Sequence, residues 1–382
     1  MKLSFPVEEP EPRRLRLLVL LTHIRPTGLV RQLLESLSLL DAGGVVEPIV
    51  YCVARDGADT GPLQLELTQR GIAFEIVRER GPFDPAPLRA LRSRLTQLRP
   101  DLMQTHGYKP TAYALLVRRE AAVPWIAFYH GRTATDWRVR LYHAFDRWGM
   151  GRADTIITVA EGVDEHFAPA DRNRLRVVPN GVVALEPPIR EASAIRKGFG
   201  IEGPGPVVGF VGRLSEEKGP DLFVEAYAHL AREYPTISAL IVGDGPMRAD
   251  LERQATSLGV GQSTRFTGHV ARVSEMYRAM DVLLISSRSE VFPNVLLEAV
   301  DACVPVAATR VGGIPGVAAD LVSVVLADSL VPAAIARAGN EALQIDRSRC
   351  VAAREQLHDT YSQQRRAEAL AGIYTELTRV SQ

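Results

Sequence analysis

Cysteine is scarce in this chain of 382 residues: Cys52, Cys303 and Cys350 are odd in number and follow no motif spacing. That excludes a disulfide framework and offers no zinc-ligand pattern. Neither sign of charge is in excess, because 45 basic residues balance 45 acidic ones, which excludes a protein built to coat nucleic acid. Nearly all the basic residues are arginine, which reads as coding bias and not as function. Long apolar runs are missing too. The run at 15–21 is far too short to span a bilayer, and no signal-peptide cleavage pattern follows it. A soluble cytoplasmic protein is the expectation. The first run ends in Thr22-His23-Ile24-Arg25-Pro26-Thr27-Gly28, without Gly-x-Gly-x-x-Gly, which disfavours a nicotinamide oxidoreductase. No Asp-x-Asp occurs.

What the chain does contain is alternation. It is 46% apolar, enough for two domains each to bury a core. Strand-like runs fall at 15–21, 46–52, 74–77, 101–105, 125–129, 155–159 and 176–178, with helical patterns between them. A second series falls at 207–211, 237–242, 264–267, 282–285 and 304–307. Such alternation predicts parallel sheets, which bind ligands at the carboxyl ends of their strands. Pro179-Asn180-Gly181 and Glu186-Pro187-Pro188 carry turn and linker chemistry, and 365–377 is helical. The expected division is 1–185, 186–360 and a terminal segment, 361–382.

The richest stretch is Ser289-Glu290-Val291-Phe292-Pro293-Asn294-Val295-Leu296-Leu297-Glu298. It follows the run 282–285, so Glu290 is expected on a loop at a strand's carboxyl end. Pro293 suits the first turn of a helix, and Glu298 then falls about one turn in. A helix start offers free N–H groups and partial positive charge, which suit a phosphate. Pro293 has no N–H, so Phe292, Asn294 and Val295 are the candidate backbone donors. A carboxylate at each end of a phosphate site matches a ligand with hydroxyls on both sides of its phosphates, as in a nucleotide sugar. The competing reading, a solvated acidic face, is opposed by the apolar residues on either side. Arg213 and Lys218 bracket the loop after 207–211. They read either as surface cations near Glu216 and Glu217 or as fixed charges for a leaving diphosphate.

With its two glutamates, the small-residue run 304–309 and Gly312-Gly313-Ile314-Pro315, this region resembles the E-x7-E signature of the family 4 retaining glycosyltransferases. Further matches run along most of the chain. They are Gln104-Thr105-His106-Gly107-Tyr108-Lys109, Tyr129-His130-Gly131, Pro179-Asn180-Gly181, Val211-Gly212-Arg213-Leu214 through Glu217-Lys218-Gly219, and Val242-Gly243-Asp244-Gly245-Pro246. The chain departs from the pattern at Val291, where a small residue is usual. Asp301, Cys303, Arg310 and Gly316 are further departures.

The resemblance implies an α/β, GT-B fold: two Rossmann-like domains facing across a cleft. Residues 1–185 would bind the acceptor and 186–360 the nucleotide-sugar donor, and the helix of 361–382 would return to the first domain. His130, Glu290, Arg213 and Lys218 are the implied catalytic residues. Gly28, Gly212, Arg213, Lys218, Glu290, Phe292, Asn294, Val295 and Glu298 are the implied donor contacts. His106 and Arg132 are weaker acceptor candidates, and His106 reads equally as a turn cap. Neither a metal nor a cofactor is implied beyond the nucleotide sugar itself. The implied activity is retaining transfer of a hexose to a hydroxyl of a small-molecule, saccharide or lipid-linked acceptor, as in polysaccharide biosynthesis. An epimerase or a non-catalytic nucleotide-sugar-binding module on the same fold is the alternative. The arginine- and aromatic-rich stretch 136–150 reads as an amphipathic helix packed on its own domain, an acceptor groove or a peripheral contact with the inner face of the cell membrane.

Overall fold

The alternation of short buried strands with amphipathic helices builds two parallel sheets. The structure, a computed structural model, describes residues 13–25, 27–82, 84–131, 137–187, 189–270 and 272–380. The first sheet contains β1 (Leu15–Leu21), β2 (Val46–Arg55), β3 (Ala73–Glu79), β4 (Leu102–His106), β5 (Trp125–Tyr129), β6 (Thr155–Thr158) and β7 (Leu175–Val177). Its order is β3-β2-β1-β4-β5-β6-β7. Helices α1 (Gly28–Ala42), α2 (Gly61–Gln69), α3 (Ala86–Leu98), α4 (Tyr108–Ala121) and α5 (Trp137–Met150) connect the strands.

The second sheet contains β8 (Val207–Val211), β9 (Ser238–Val242), β10 (Thr264–Gly268), β11 (Val282–Ile285), β12 (Val306–Thr309) and β13 (Val324–Ala327), in the order β10-β9-β8-β11-β12-β13. With it go α6 (Ala192–Gly198), α7 (Pro220–Glu233), α8 (Arg248–Ser257), α9 (Val273–Arg278), α10 (Asn294–Asp301), α11 (Ile314–Ala318), α12 (Pro332–Leu343) and α13 (Arg347–Thr360); α14 (Gln363–Val380) follows them. Both faces of this sheet are covered, so its strands read as unbroken apolar runs. Successive residues serve opposite cores. Val207, Leu240 and Leu283 join one apolar cluster with Leu296 and Ala353, while Val208, Ile241 and Leu284 join the other with Phe223 and Ile335.

One shifted strand boundary and one unexpected strand each have a local reason. The run at 304–307 enters its ladder only at Val306, since Pro305 has no N–H to donate; its carbonyl instead accepts from Leu283 N at 2.9 Å. β13 was not expected at all, because a four-residue apolar run carries too little periodicity to separate it from a loop.

The chain divides into two compact units, each assembled from separate segments. The first holds the described residues of Met1–Phe128, Trp148–Ile157 and Ala367–Gln382; the second holds those of Tyr129–Arg147 and Thr158–Arg366. Within the first, the end of α14 seats on β4 through Tyr374 OH, which donates to Gln104 Oε1 at 2.5 Å. Within the second, the Pro179-Asn180-Gly181 turn is tied to the segment entering α14. Arg366 donates to the carbonyls of Val178 (2.8 Å) and Pro179 (2.6 Å), and Gln363 Nε2 donates to that of Gly181 (2.9 Å).

Candidate active site

In the second sheet β8 and β11 are neighbours, and the chain runs outward from them in opposite directions. At such a switch point the loops leaving the two carboxyl ends diverge and leave a crevice. Here they are the loop after Val211 and the loop after Ile285. Each is locked to the other. Arg288 N and Ser289 N donate to the carbonyl of Glu217 at 2.9 and 3.2 Å, and Ser286 Oγ donates to that of Gly219 at 2.7 Å. The guanidinium of Arg288 grips both oxygens of Asp221, at 2.7 and 2.5 Å. Burial alone would push the Asp221 carboxyl up, but the bonds and charge of Arg288 outweigh it and hold it below the usual range.

This locking brings two predicted site residues together. Lys218 Nζ donates to Glu290 Oε2 at 2.5 Å, with the lysine 28% and the glutamate 9% exposed. Arg213 lies on the same loop as Lys218, and its guanidinium is held by Glu217 and by Ser215 Oγ, the latter at 3.2 Å. Burial would raise the Glu217 carboxyl; hydrogen bonds from Ser215, its own backbone and Arg213 bring it net below its ordinary value. Gly212 N donates to Val242 O at 3.0 Å, and Leu214 N to Asp244 O at 3.0 Å. The Gly243-Asp244-Gly245 turn therefore braces the Arg213 loop through backbone bonds.

Past Glu290 the chain does something the sequence reading did not anticipate. Pro293 is not in the first turn of the helix. With φ −85° and ψ 78° it sits at the centre of an inverse γ-turn, and Asn294 N donates across it to Phe292 O at 3.1 Å. α10 then begins at Asn294. The Asn294 amide is thus engaged, and its side-chain Oδ1 accepts from Asn180 Nδ2 at 2.9 Å. The amides of Phe292 and Val295 make no backbone hydrogen bond among the described residues. Gly312 and Gly313 press against this loop from behind, and Gly313 N donates to Glu290 O at 3.1 Å. Glu298 falls in the second turn of α10, half-buried, and its Oε2 accepts from Tyr277 OH at 2.7 Å. Complete burial, and then the adjacent Glu298 carboxylate, keep the Tyr277 hydroxyl protonated far above the usual phenol range.

The remaining candidates are less closely gathered. His130 is half-buried just after β5, and its neighbour Gly131 lies against Val291; all three belong to the second unit. Gly28 is the exposed first residue of α1. His106 is only 2% exposed, its Nε2 meets Gln104 Nε2 at 2.7 Å, and its ring stacks on Phe128 at 4.6 Å. It is built into the end of β4. Arg132 lies outside the described residues. Tyr277, Ser215, Glu217 and the Arg288–Asp221 pair were missed by sequence reasoning. Tyr277 meets Glu298 and Arg288 meets Asp221 from distant positions, which no local spacing advertises, whereas Ser215 and Glu217 lie two and four residues from Arg213, a spacing that could have pointed to them.

Comparison with known proteins accounts for both halves. Residues 26–184 match the model described as Glycosyltransferase Family 4, and residues 191–358 match that of Glycosyl transferases group 1. A 2-deoxystreptamine glucosyltransferase of Streptomyces kanamyceticus is 36% identical over 202 residues, which is 50% of this chain and 51% of the relative. A 2-deoxystreptamine N-acetyl-D-glucosaminyltransferase of Streptomyces fradiae is 29% identical over 355 residues, 79% of this chain and 83% of the relative. This chain thus spans about half the length of the first of these relatives (51%). The crystal structure of Anabaena Alr3699/HepE, in complex with UDP and glucose, superposes with a TM-score of 0.80 over 95% of this chain and 100% of that one, at 19% identity. The fold is GT-B.

Proposed function

We propose that this chain, a glycosyltransferase of the GT-B type by both family models and by its fold, moves a hexose from a nucleoside diphosphate to a hydroxyl acceptor with retention of configuration. The observation that carries this reading is the Lys218–Glu290 pair at the switch point of the second sheet. The reading needs a cation for the leaving phosphate close to a carboxylate for the sugar, and the closeness of Lys218 and Glu290 supports it.

In this reading the diphosphate lies along the Gly212–Lys218 loop. Arg213 and Lys218 neutralise the charge that grows on the phosphate as the sugar–phosphate bond breaks, so they favour the transition state over the ground state. The amides of Phe292 and Val295 face the phosphates, and Glu298, steadied by Tyr277, accepts from the ribose hydroxyls. Glu290 contacts the sugar, and His130 orients donor and acceptor. The sugar carbon parts from the phosphate oxygen and bonds the acceptor oxygen on the same face. The departing phosphate takes the acceptor's proton, so no covalent glutamyl intermediate forms. The E-x7-E match supports these roles. Residues 1–185 would bind the acceptor and 186–360 the donor. The named relatives make a cyclitol such as 2-deoxystreptamine the first acceptor to try.

The deciding experiment incubates the chain with UDP-hexoses and cyclitol acceptors and follows both products. Free nucleoside diphosphate together with acceptor-linked sugar supports transfer. A nucleotide sugar of changed configuration without transfer supports the epimerase, and binding without turnover supports the non-catalytic module. A second acceptor class, lipid-linked at the inner membrane face, is favoured by Leu141, Tyr142 and Phe145 of α5, which are 60%, 50% and 41% exposed. Among the described residues no helix is long and apolar enough to cross a membrane.

A further inference from the structure

Val291 is where the chain departs from the small residue usual after the first glutamate of its signature, and the structure shows what its side chain does. The segment Glu290–Val291 is fixed from behind. A Cβ on Gly312 would lie 1.6 Å from Glu290 O, and one on Gly313 would lie 2.2 Å from Val291 O. Neither carbonyl can retreat, because backbone already fills the space. In front, Val291 Cγ2 lies 2.2 Å from where a Gly131 Cβ would stand, and Val291 Cβ lies 3.0 Å from it. Gly131 has a φ of +92°, so it tolerates the contact only as glycine. Val291 is therefore wedged between Gly131, the residue after His130, and the Gly312-Gly313 backbone behind it, with no slack on either side.

We propose that Val291 sets donor-sugar specificity by barring an acylamino substituent, so that the chain accepts a plain hexose and rejects an N-acetylhexosamine. The inference rests on the reading that His130 and Glu290 face the sugar. Its physical basis is volume. Valine carries three side-chain carbons, the heavy-atom bulk of an acetyl group, in a space whose walls cannot move. A close-packed site rejects added volume, and differences of this size are worth roughly 10–200-fold in discrimination.

The test compares kcat/KM for UDP-glucose and UDP-N-acetylglucosamine in the wild type, Val291→Ala and Val291→Gly, with UDP affinity measured by calorimetry in each. The wild type is expected to favour glucose, and the ratio to move toward the N-acetyl sugar by about tenfold or more in Val291→Gly, with Val291→Ala in between. UDP affinity should change far less than the sugar ratio, since the Val291 side chain makes none of the proposed nucleotide contacts. A wild type that prefers the N-acetyl sugar overturns the proposal, as does an unmoved ratio in Val291→Ala that still transfers glucose. Transfer by the wild type from neither sugar, nor from any other hexose nucleotide, overturns the functional reading itself, and this inference with it.

Discussion

The ammonium of Lys218 reaches the carboxylate of Glu290 across 72 residues of chain at 2.5 Å, and this pair joins the two loops of the switch point. Each partner balances the charge of the other. Removal of the lysine leaves a glutamate that is 9% exposed without its cation. Lys218→Ala should therefore lower turnover on the order of 10²-fold, about 3 kcal/mol in the transition state, while a thermal melt still shows a folded protein. Unchanged turnover in a folded Lys218→Ala variant would remove this residue from the mechanism.

The two glutamates of the loop and helix should separate by ligand. Glu298→Gln is expected to weaken binding of bare nucleoside diphosphate, because the proposed partner of Glu298 is the ribose. Glu290→Gln should mainly impair the sugar nucleotide. Tyr277→Phe should resemble Glu298→Gln in direction, since it removes the hydroxyl that steadies Glu298. Calorimetry with and without the sugar reads all three, and equal losses in Glu298→Gln and Glu290→Gln would contradict the assignment.

Gly313→Ala should destabilise the second unit by about 1–3 kcal/mol, because the new methyl would meet Val291 O at 2.2 Å in a packed interior. Urea unfolding checks this. Activity should fall along with stability, since the displaced carbonyl belongs to the residue after Glu290.

Acid should loosen the lock between the two loops. Asp221 is held below its ordinary range by Arg288, so its contribution to stability is full above the unfolded value of about 4 and fades as pH falls through the folded one. The Asp221→Asn variant should be less stable at neutral pH, and the difference from wild type should shrink below about pH 4. Melting curves across that range measure it. A difference that stays constant with pH would assign the stabilisation to something other than the charge.

Transfer should retain the anomeric configuration and withstand chelation. If the leaving phosphate is the base and Arg213 and Lys218 balance its charge, a divalent ion has no task left to perform. The product's anomeric coupling by NMR should match the donor's, and turnover in the presence of chelator should match turnover without it. An inverted product would point to another mechanism. Activity lost to chelator and restored by magnesium would overturn the metal-free claim.

Much of the second half was legible in one dimension. The run 282–285, the loop after it and the helix carrying Glu298 all stand where apolar periodicity and proline placed them, within a residue or two. Pro293 misled by one position. A proline's fixed φ suits a first helical turn and a γ-turn equally, and ψ, which the local sequence does not set, decides between them. β13 was lost because four residues are too few for a periodic signal.

What the sequence alone determined was the succession of strand and helix, and with it two parallel sheets with binding loops at their carboxyl ends. Residue types and their order were enough for that, since local burial patterns set each element. Strand order was decided only in three dimensions. Placing β8 beside β11 sets the Lys218 loop against the Glu290 loop and Arg288 against Asp221, while the packing of α9 beside α10 sets Tyr277 against Glu298. Gly131, just after β5, meets Val291 across 160 residues, a contact of tertiary packing as well. Such contacts depend on how buried strands pair and how tightly backbone fills the space behind them, and neither leaves a mark in local spacing.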